Sequence, residues 1–296
     1  MKQFFRETKP FGQLLALLLI FVLFFIISTG ISVLAILLGI PYDDIYFQAS
    51  LSQVVAFAAT ALVFAWLFYD RPASVLQLRV PDRFSSKILG AVLMLICLIP
   101  LSDWLTQVND GWHLPASMSA LEEAMRNMSE RTQMMLEDNL LRNDLGSLLL
   151  NLLVIALLPA LCEELLFRGA LQTTLCRCFR NHHVAIWVTA AVFSLFHGEI
   201  FAFLPRFMLG AALGYLFYYG GSLWCSGLFH FLNNACAVII YYEVSKGNLD
   251  YAMVDSFNSP WYLALAGAVI GIFVFVVFYA RHYRRVGDES EEIERV

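Results

Sequence analysis

Three short groups of polar residues stand inside long apolar stretches of this sequence. They are Cys162-Glu163-Glu164-Leu165-Leu166-Phe167-Arg168, Phe193-Ser194-Leu195-Phe196-His197, and His230-Phe231-Leu232-Asn233-Asn234. Arg206 is a fourth polar intrusion, near the start of its apolar segment, where its simplest role is to snorkel to an interface. An ionisable side chain deep in a membrane span costs roughly 2.5–3.5 kcal/mol on insertion scales, so each is a functional candidate by default. Glu164 and Arg168 are four residues apart and share one helical face in the order that favours an ion pair. Glu163 lies about 100° around the axis and has no partner on its own helix. It is a candidate proton acceptor and donor, although one salt-bridge network joining both glutamates to Arg168 is an equally open reading.

His230 and Asn234 are also four residues apart, so an imidazole and a carboxamide project from one face, with Asn233 able to share it. Such a pair supplies two hydrogen-bond donors to a developing oxyanion, or two ligands to a metal. Hydrolysis of an amide needs an activated water, an oxyanion stabiliser and a proton donor for the leaving amine. Glu163 suits base and then acid, His197 suits holding or helping to deprotonate the water, and His230 with Asn234 suits the oxyanion. The sequence has no H-E-x-x-H motif and no G-x-G-D motif, and Gly220-Gly221-Ser222-Leu223 lacks a glycine after the serine. Glu163, His197 and His230 are also legitimate zinc ligands, so a zinc-activated water remains the alternative to a reaction that needs no cofactor.

The elements that must position these residues are membrane helices. Of the 296 residues, 59% are hydrophobic and 15% charged, with a mean hydropathy of +0.68. Soluble domains carry about 25% charged residues. Charge is absent from Pro10 to Tyr42, Ile45 to Tyr69, Leu145 to Cys162, Phe207 to Tyr242 and Ser256 to Ala280. About 20 such residues span a hydrocarbon core. The first run is too long for the apolar core of a cleavable signal, and further spans follow it. Segments are expected at about 14–40, 47–69, 87–107, 145–177, 182–201, 203–244 and 258–280. The sixth is too long for one crossing and divides at Gly220-Gly221-Ser222, giving an all-α polytopic protein of about eight spans around a buried polar cavity.

Basic residues place both termini on the cytoplasmic side. Lys2, Arg6, Lys9, Arg71, Arg79, Arg83, Lys87, Arg177, Arg180, Arg281, Arg284 and Arg285 fall in the inner loops, whereas Asp43, Asp44 and the segment Glu122–Asp138 fall outside. Residues 117–142 alternate charged and apolar side chains, which predicts an amphipathic helix at the outer interface or capping the bundle. Much of the net charge of −5 comes from the acidic tail Asp288–Glu294. Nothing in the composition points to nucleic acid. Cys97, Cys162, Cys176, Cys178, Cys225 and Cys236 match no disulfide or C-x-x-C spacing and read as packing residues.

Taken together, E-E-x-x-x-R at Glu163, Glu164 and Arg168, F-x-x-x-H at Phe193 and His197, and H-x-x-x-N at His230 and Asn234 resemble the CAAX prenyl protease type II and bacteriocin-processing family, also called CPBP or Abi. Gly221-Ser222-Leu223-Trp224 is similar to its bacterial members, which implies a bacterial plasma membrane. The resemblance covers about 145–244, leaving 1–144 as N-terminal helices with the amphipathic segment and 245–296 as a last helix and tail. It implies an intramembrane endopeptidase with a conical cavity. Glu163 and His197 would act on water and His230 and Asn234 on the oxyanion, with Glu164 and Arg168 in support. The substrate would be a peptide or membrane protein, lipidated in part of the family. The rival from another class is a catalytically silent scaffold, partner-binding or immunity protein. Straight helices would leave Glu163 and His197 at different depths, so the fourth segment is expected to run from about 145 to 180 and to tilt or kink near Pro159.

Overall fold

The computed structural model describes residues 7–41, 44–250 and 258–282. The acidic tail, Lys2, Arg6, Asp43, Arg284 and Arg285 lie outside these residues. Among the described residues the chain is all helix, and seven helices are long and apolar enough to cross a membrane. In chain order the helices are α1 (Pro10–Leu37), α2 (Ile45–Phe68), α3 (Phe84–Asp110), α4 (Ser119–Leu140), α5 (Leu145–Phe179), α6 (His182–Phe196), α7 (Phe203–Gly220), α8 (Leu223–Ser245) and α9 (Trp261–Phe278). The amphipathic segment is α4, and α6 is the eighth, shorter apolar helix. This is an integral, multi-pass membrane protein.

Burial in α1 is inverted relative to a soluble helix. Its buried residues include Gln13 and Ser28, while Leu15, Leu18, Leu19 and Leu23 are exposed. Apolar side chains face outward because lipid is their solvent, and polar ones turn inward to find partners. Gln13 accepts hydrogen bonds from Tyr69 Oη (3.0 Å) and Arg177 Nη1 (2.7 Å), tying α1 to the end of α2 and to α5.

Side-chain caps mark where the helices begin. Asp44 accepts from Phe47 N–H (3.0 Å), Asp144 from Ser147 N–H (2.9 Å) and Asn181 from His183 N–H (3.0 Å). The expected division of the long sixth segment falls at Gly221, which takes a left-handed conformation (φ 65°). Ser222 then caps α8 through Trp224 N–H (3.2 Å) and donates to the Arg79 carbonyl (2.6 Å). In the bundle, α3 packs along α9 and α6 along α7, while α8 sits against α3, α5 and α7. Helices α1 and α2 lie on the other side of α5. All six cysteines are free.

The fifth segment is shorter than its expected range of 182–201. Helix α6 has 15 residues, about 22 Å at the rise of about 1.5 Å per residue, so it stops short of a crossing. Gly198 follows with φ 71°, and a 3-10 turn, Ile200–Ala202, leads into α7. Helix α5 by contrast has 35 residues, about 52 Å long. The 35-residue α5 beside the truncated α6 leaves His197 within electrostatic reach of Glu163.

Helix α4 rests on the end of the bundle. Leu140 is buried with Ala156, Ala235 and Val238. Asn151, itself buried, donates to the Asn139 carbonyl (3.0 Å) and accepts from Tyr46 Oη (2.9 Å). At the other end of α4, Glu122 accepts from His113 Nδ1 (2.9 Å) and from Leu114 N–H (2.7 Å), and these bonds hold its carboxyl at about 2.

Candidate active site

Glu163 and Glu164 sit on the α-helical stretch Leu158–Glu164 of α5, between two π-helical stretches, Leu152–Leu157 and Leu165–Gln172. Pro159 has no N–H to donate. Just before it the ladder has already lengthened, with Leu158 N–H bonded to the Leu153 carbonyl five residues back. Wider turns of this kind re-aim side chains and occur frequently at functional sites.

Glu164 and Arg168 are both fully buried and approach to 2.9 Å. The guanidinium N–H does not point along that line, and Arg168 Nη2 instead donates to the Gly210 carbonyl (3.2 Å). One turn on, Gln172 Nε2 donates to the Gly214 carbonyl (3.0 Å). Two side chains of α5 thus bond two carbonyls of α7 at the same spacing. Gly214 permits this approach, since a Cβ there would lie 2.8 Å from Gln172 Oε1, while Gly210 lets α7 close on α6, where a Cβ would lie 3.1 Å from Ala190 Cα. Gly210→Leu is therefore expected to destabilise the detergent-extracted protein by about 1–3 kcal/mol, as overpacking does. Thermal unfolding measures this, and an unchanged midpoint with unchanged yield would refute it.

Glu164 also meets the second histidine. His230, on α8 and almost fully buried, places Nδ1 3.1 Å from Glu164 Oε1 and Nε2 4.0 Å from Glu163 Oε2. A carboxylate only accepts, so the Nδ1 that meets Glu164 carries a proton, and Nε2 is directed toward Glu163. His197, exposed at the end of α6, bonds through Nδ1 to the Phe193 carbonyl (2.9 Å), which likewise puts a proton on Nδ1 and leaves its Nε2 free. Phe193 stands between the histidines, its ring centroid 5.0 Å from that of His197 and 5.9 Å from that of His230. His197 lies within electrostatic reach of Glu163 and His230.

Asn234 is half-buried one turn beyond His230. Its Oδ1 accepts from Asn233 Nδ2 (3.3 Å), which leaves its own N–H groups free to donate. Arg206 is not merely a snorkelling cation: it pairs with Glu199, two residues after His197. Sequence reasoning missed Gln53, whose Nε2 donates to Glu163 Oε1 at 2.8 Å. The signal was an amide inside the charge-free 45–69 span, passed over because the search followed charges.

The loop that follows His197 is held from the N-terminal half. Asn109, buried at the end of α3, donates to the Ile200 carbonyl (3.0 Å) and accepts from Leu204 N–H (2.7 Å). Arg126 of α4 lies 3.8 Å over the Phe201 ring and donates to the Trp112 carbonyl (2.8 Å). Arg126→Ala is expected to speed amide exchange in the peptide covering 197–204 while the 165–175 stretch is unaffected. Equal exchange in the two proteins would show that the clamp does not hold the loop.

The zinc alternative needs three donors on one point. Among the described residues no three His, Cys, Asp or Glu side chains are so arranged. The candidates Glu163, His197 and His230 do not form a ligand set in this geometry.

A bundle of lipid-facing helices that buries a carboxylate pair and His230, with His197 and Asn234 more open to solvent, defines a membrane protein with a polar centre. Residues 145–236 match the family described as Type II CAAX prenyl endopeptidase Rce1-like. That segment holds Glu163, Glu164, Arg168, His197, His230 and Asn234. No curated protein and no solved structure matches the chain.

Proposed function

We propose that the protein is an intramembrane endopeptidase acting on a peptide or membrane-protein substrate, with both termini in the cytoplasm of a bacterium. The observation that carries the reading is the approach of His230 Nε2 to Glu163 Oε2 at 4.0 Å in a buried site, with each histidine's Nδ1 committed elsewhere. Glu163 takes a proton from water, whose oxygen attacks the scissile carbonyl carbon while His197 Nε2 accepts the water's second O–H as a hydrogen bond. The oxyanion is held by the Asn234 carboxamide, and by His230 when its Nε2 also carries a proton. Glu163 then passes its proton to the departing amide nitrogen as the C–N bond breaks. Glu164 and Arg168 hold His230 and α7 in place and do not touch the substrate.

The family match suggests a prenylated C-a-a-X sequence as the first substrate to offer. Protein in nanodiscs should release the terminal tripeptide from a farnesylated, internally quenched peptide, and Asn234→Ala should slow this by about 10²-fold, as loss of one oxyanion donor does. Failure to cleave this peptide or any unprenylated membrane-spanning peptide, with or without chelator, would favour the silent scaffold.

A further inference from the structure

The family match begins at residue 145, yet one partner of Glu163 comes from α2, far earlier in the chain. Gln53 Nε2 donates to Glu163 Oε1 at 2.8 Å, while Glu163 Oε2 is the oxygen facing His230. We infer that Gln53 is a positioning residue for Glu163, so that the hydrolytic centre is assembled from both halves of the chain. This rests on the hydrolase reading above.

Two further observations on α2 support the role. Gln53 lies on a π-helical stretch, Ser52–Ala58, where Ala59 N–H reaches back five residues to the Val54 carbonyl. An α-helical ladder would turn residue 53 to a different angle, so the wide turn sets the direction in which the amide points. The second observation is Gln53 Oε1, a buried acceptor with no hydrogen-bond partner among the described residues. One amide therefore holds the base by its donor end and offers its acceptor end beside it, to an O–H of water or an N–H of substrate. The remaining charged or titratable neighbours of Glu163 are Cys162, Glu164 and Arg168 on its own helix and His197 and His230 on two others. Among the described residues none of them makes a hydrogen bond to Glu163 Oε1, so Gln53 holds that oxygen while His230 faces the other.

The test uses the full chain in nanodiscs. Gln53→Met keeps the length of the side chain and removes both polar atoms, and Gln53→Asn keeps the amide but shortens its reach. With the farnesylated quenched peptide, both should lower kcat by about 10- to 100-fold, as a slight misplacement of a catalytic group does, while KM stays within about threefold. Infrared difference spectra of the 13C-glutamate-labelled protein should show a carboxylate band displaced by Gln53→Met. That displacement should vanish when both proteins also carry Glu163→Gln. An active wild type with unchanged kcat in both variants, or with no Glu163-dependent band shift, overturns the inference. If the band moves but the wild type cleaves nothing, the hydrolase reading fails and the positioning role falls with it. Should Gln53→Met not fold, the same readouts on Gln53→Asn decide the matter.

Discussion

Glu163→Gln is expected to leave the protein folded and to reduce turnover by about 10²- to 10⁴-fold, the range that a general acid–base group contributes. The two effects separate because of what surrounds the side chain. A glutamine at 163 can turn its carbonyl toward Gln53 Nε2, 2.8 Å away in the wild type, so the contact between α2 and α5 survives. What it lacks is an oxygen that can hold and release a proton. Turnover and thermal midpoint should be measured on both proteins in the same detergent. Wild-type turnover in this variant would mean that the two carboxylates exchange roles, or that the hydrolase reading is dropped.

Glu164→Ala should do the reverse and damage the fold first. It leaves a fully buried Arg168 guanidinium without its anion and removes the acceptor of His230 Nδ1. Removing one partner of a buried pair costs about 3–5 kcal/mol. The variant should accumulate poorly and unfold early in a denaturant titration. Replacing both residues with apolar ones, Glu164→Leu with Arg168→Met, should recover part of the loss, since no buried charge is then left alone. A Glu164→Ala protein as stable as the wild type would show that the ion pair does not hold the bundle together.

Within-helix spacing explains what could be read from the residues alone. Glu164 and Arg168 lie one turn apart on one strand of sequence, and the structure brings them to 2.9 Å. Gly220-Gly221-Ser222 divided a long apolar run correctly because a left-handed glycine and a serine cap are local devices. The early end of α6 was less visible, since apolar residues resume at Ile200 and Phe201 after the short break His197-Gly198-Glu199, where Gly198 marks the stop. Relations between helices were not legible at all. No spacing rule says that His230 Nδ1 meets Glu164, or that Gln53 crosses from α2 to Glu163. The role of Arg206 likewise depended on where a loop placed Glu199.

The π-helical stretches have a consequence for how this protein can change over generations. A π turn is an α turn that has absorbed one extra residue. Losing a single codon within Leu152–Leu157 would let the ladder relax to the ordinary register and leave everything beyond it facing nearly as before. The same loss from the α-helical stretch Leu158–Glu164, ahead of Glu163, has no surplus residue to give up and would turn Glu163 by about 100° relative to the helix before it. A one-residue deletion on the α2 stretch Ser52–Ala58, after Gln53, would be absorbed like the loss within Leu152–Leu157 and leave the rest of that helix packed against α1 and α5. The π stretches are thus the places where these helices can lose a residue without moving the site, whereas the α-helical spacing from Leu158 to Glu163 is itself an inherited part of it.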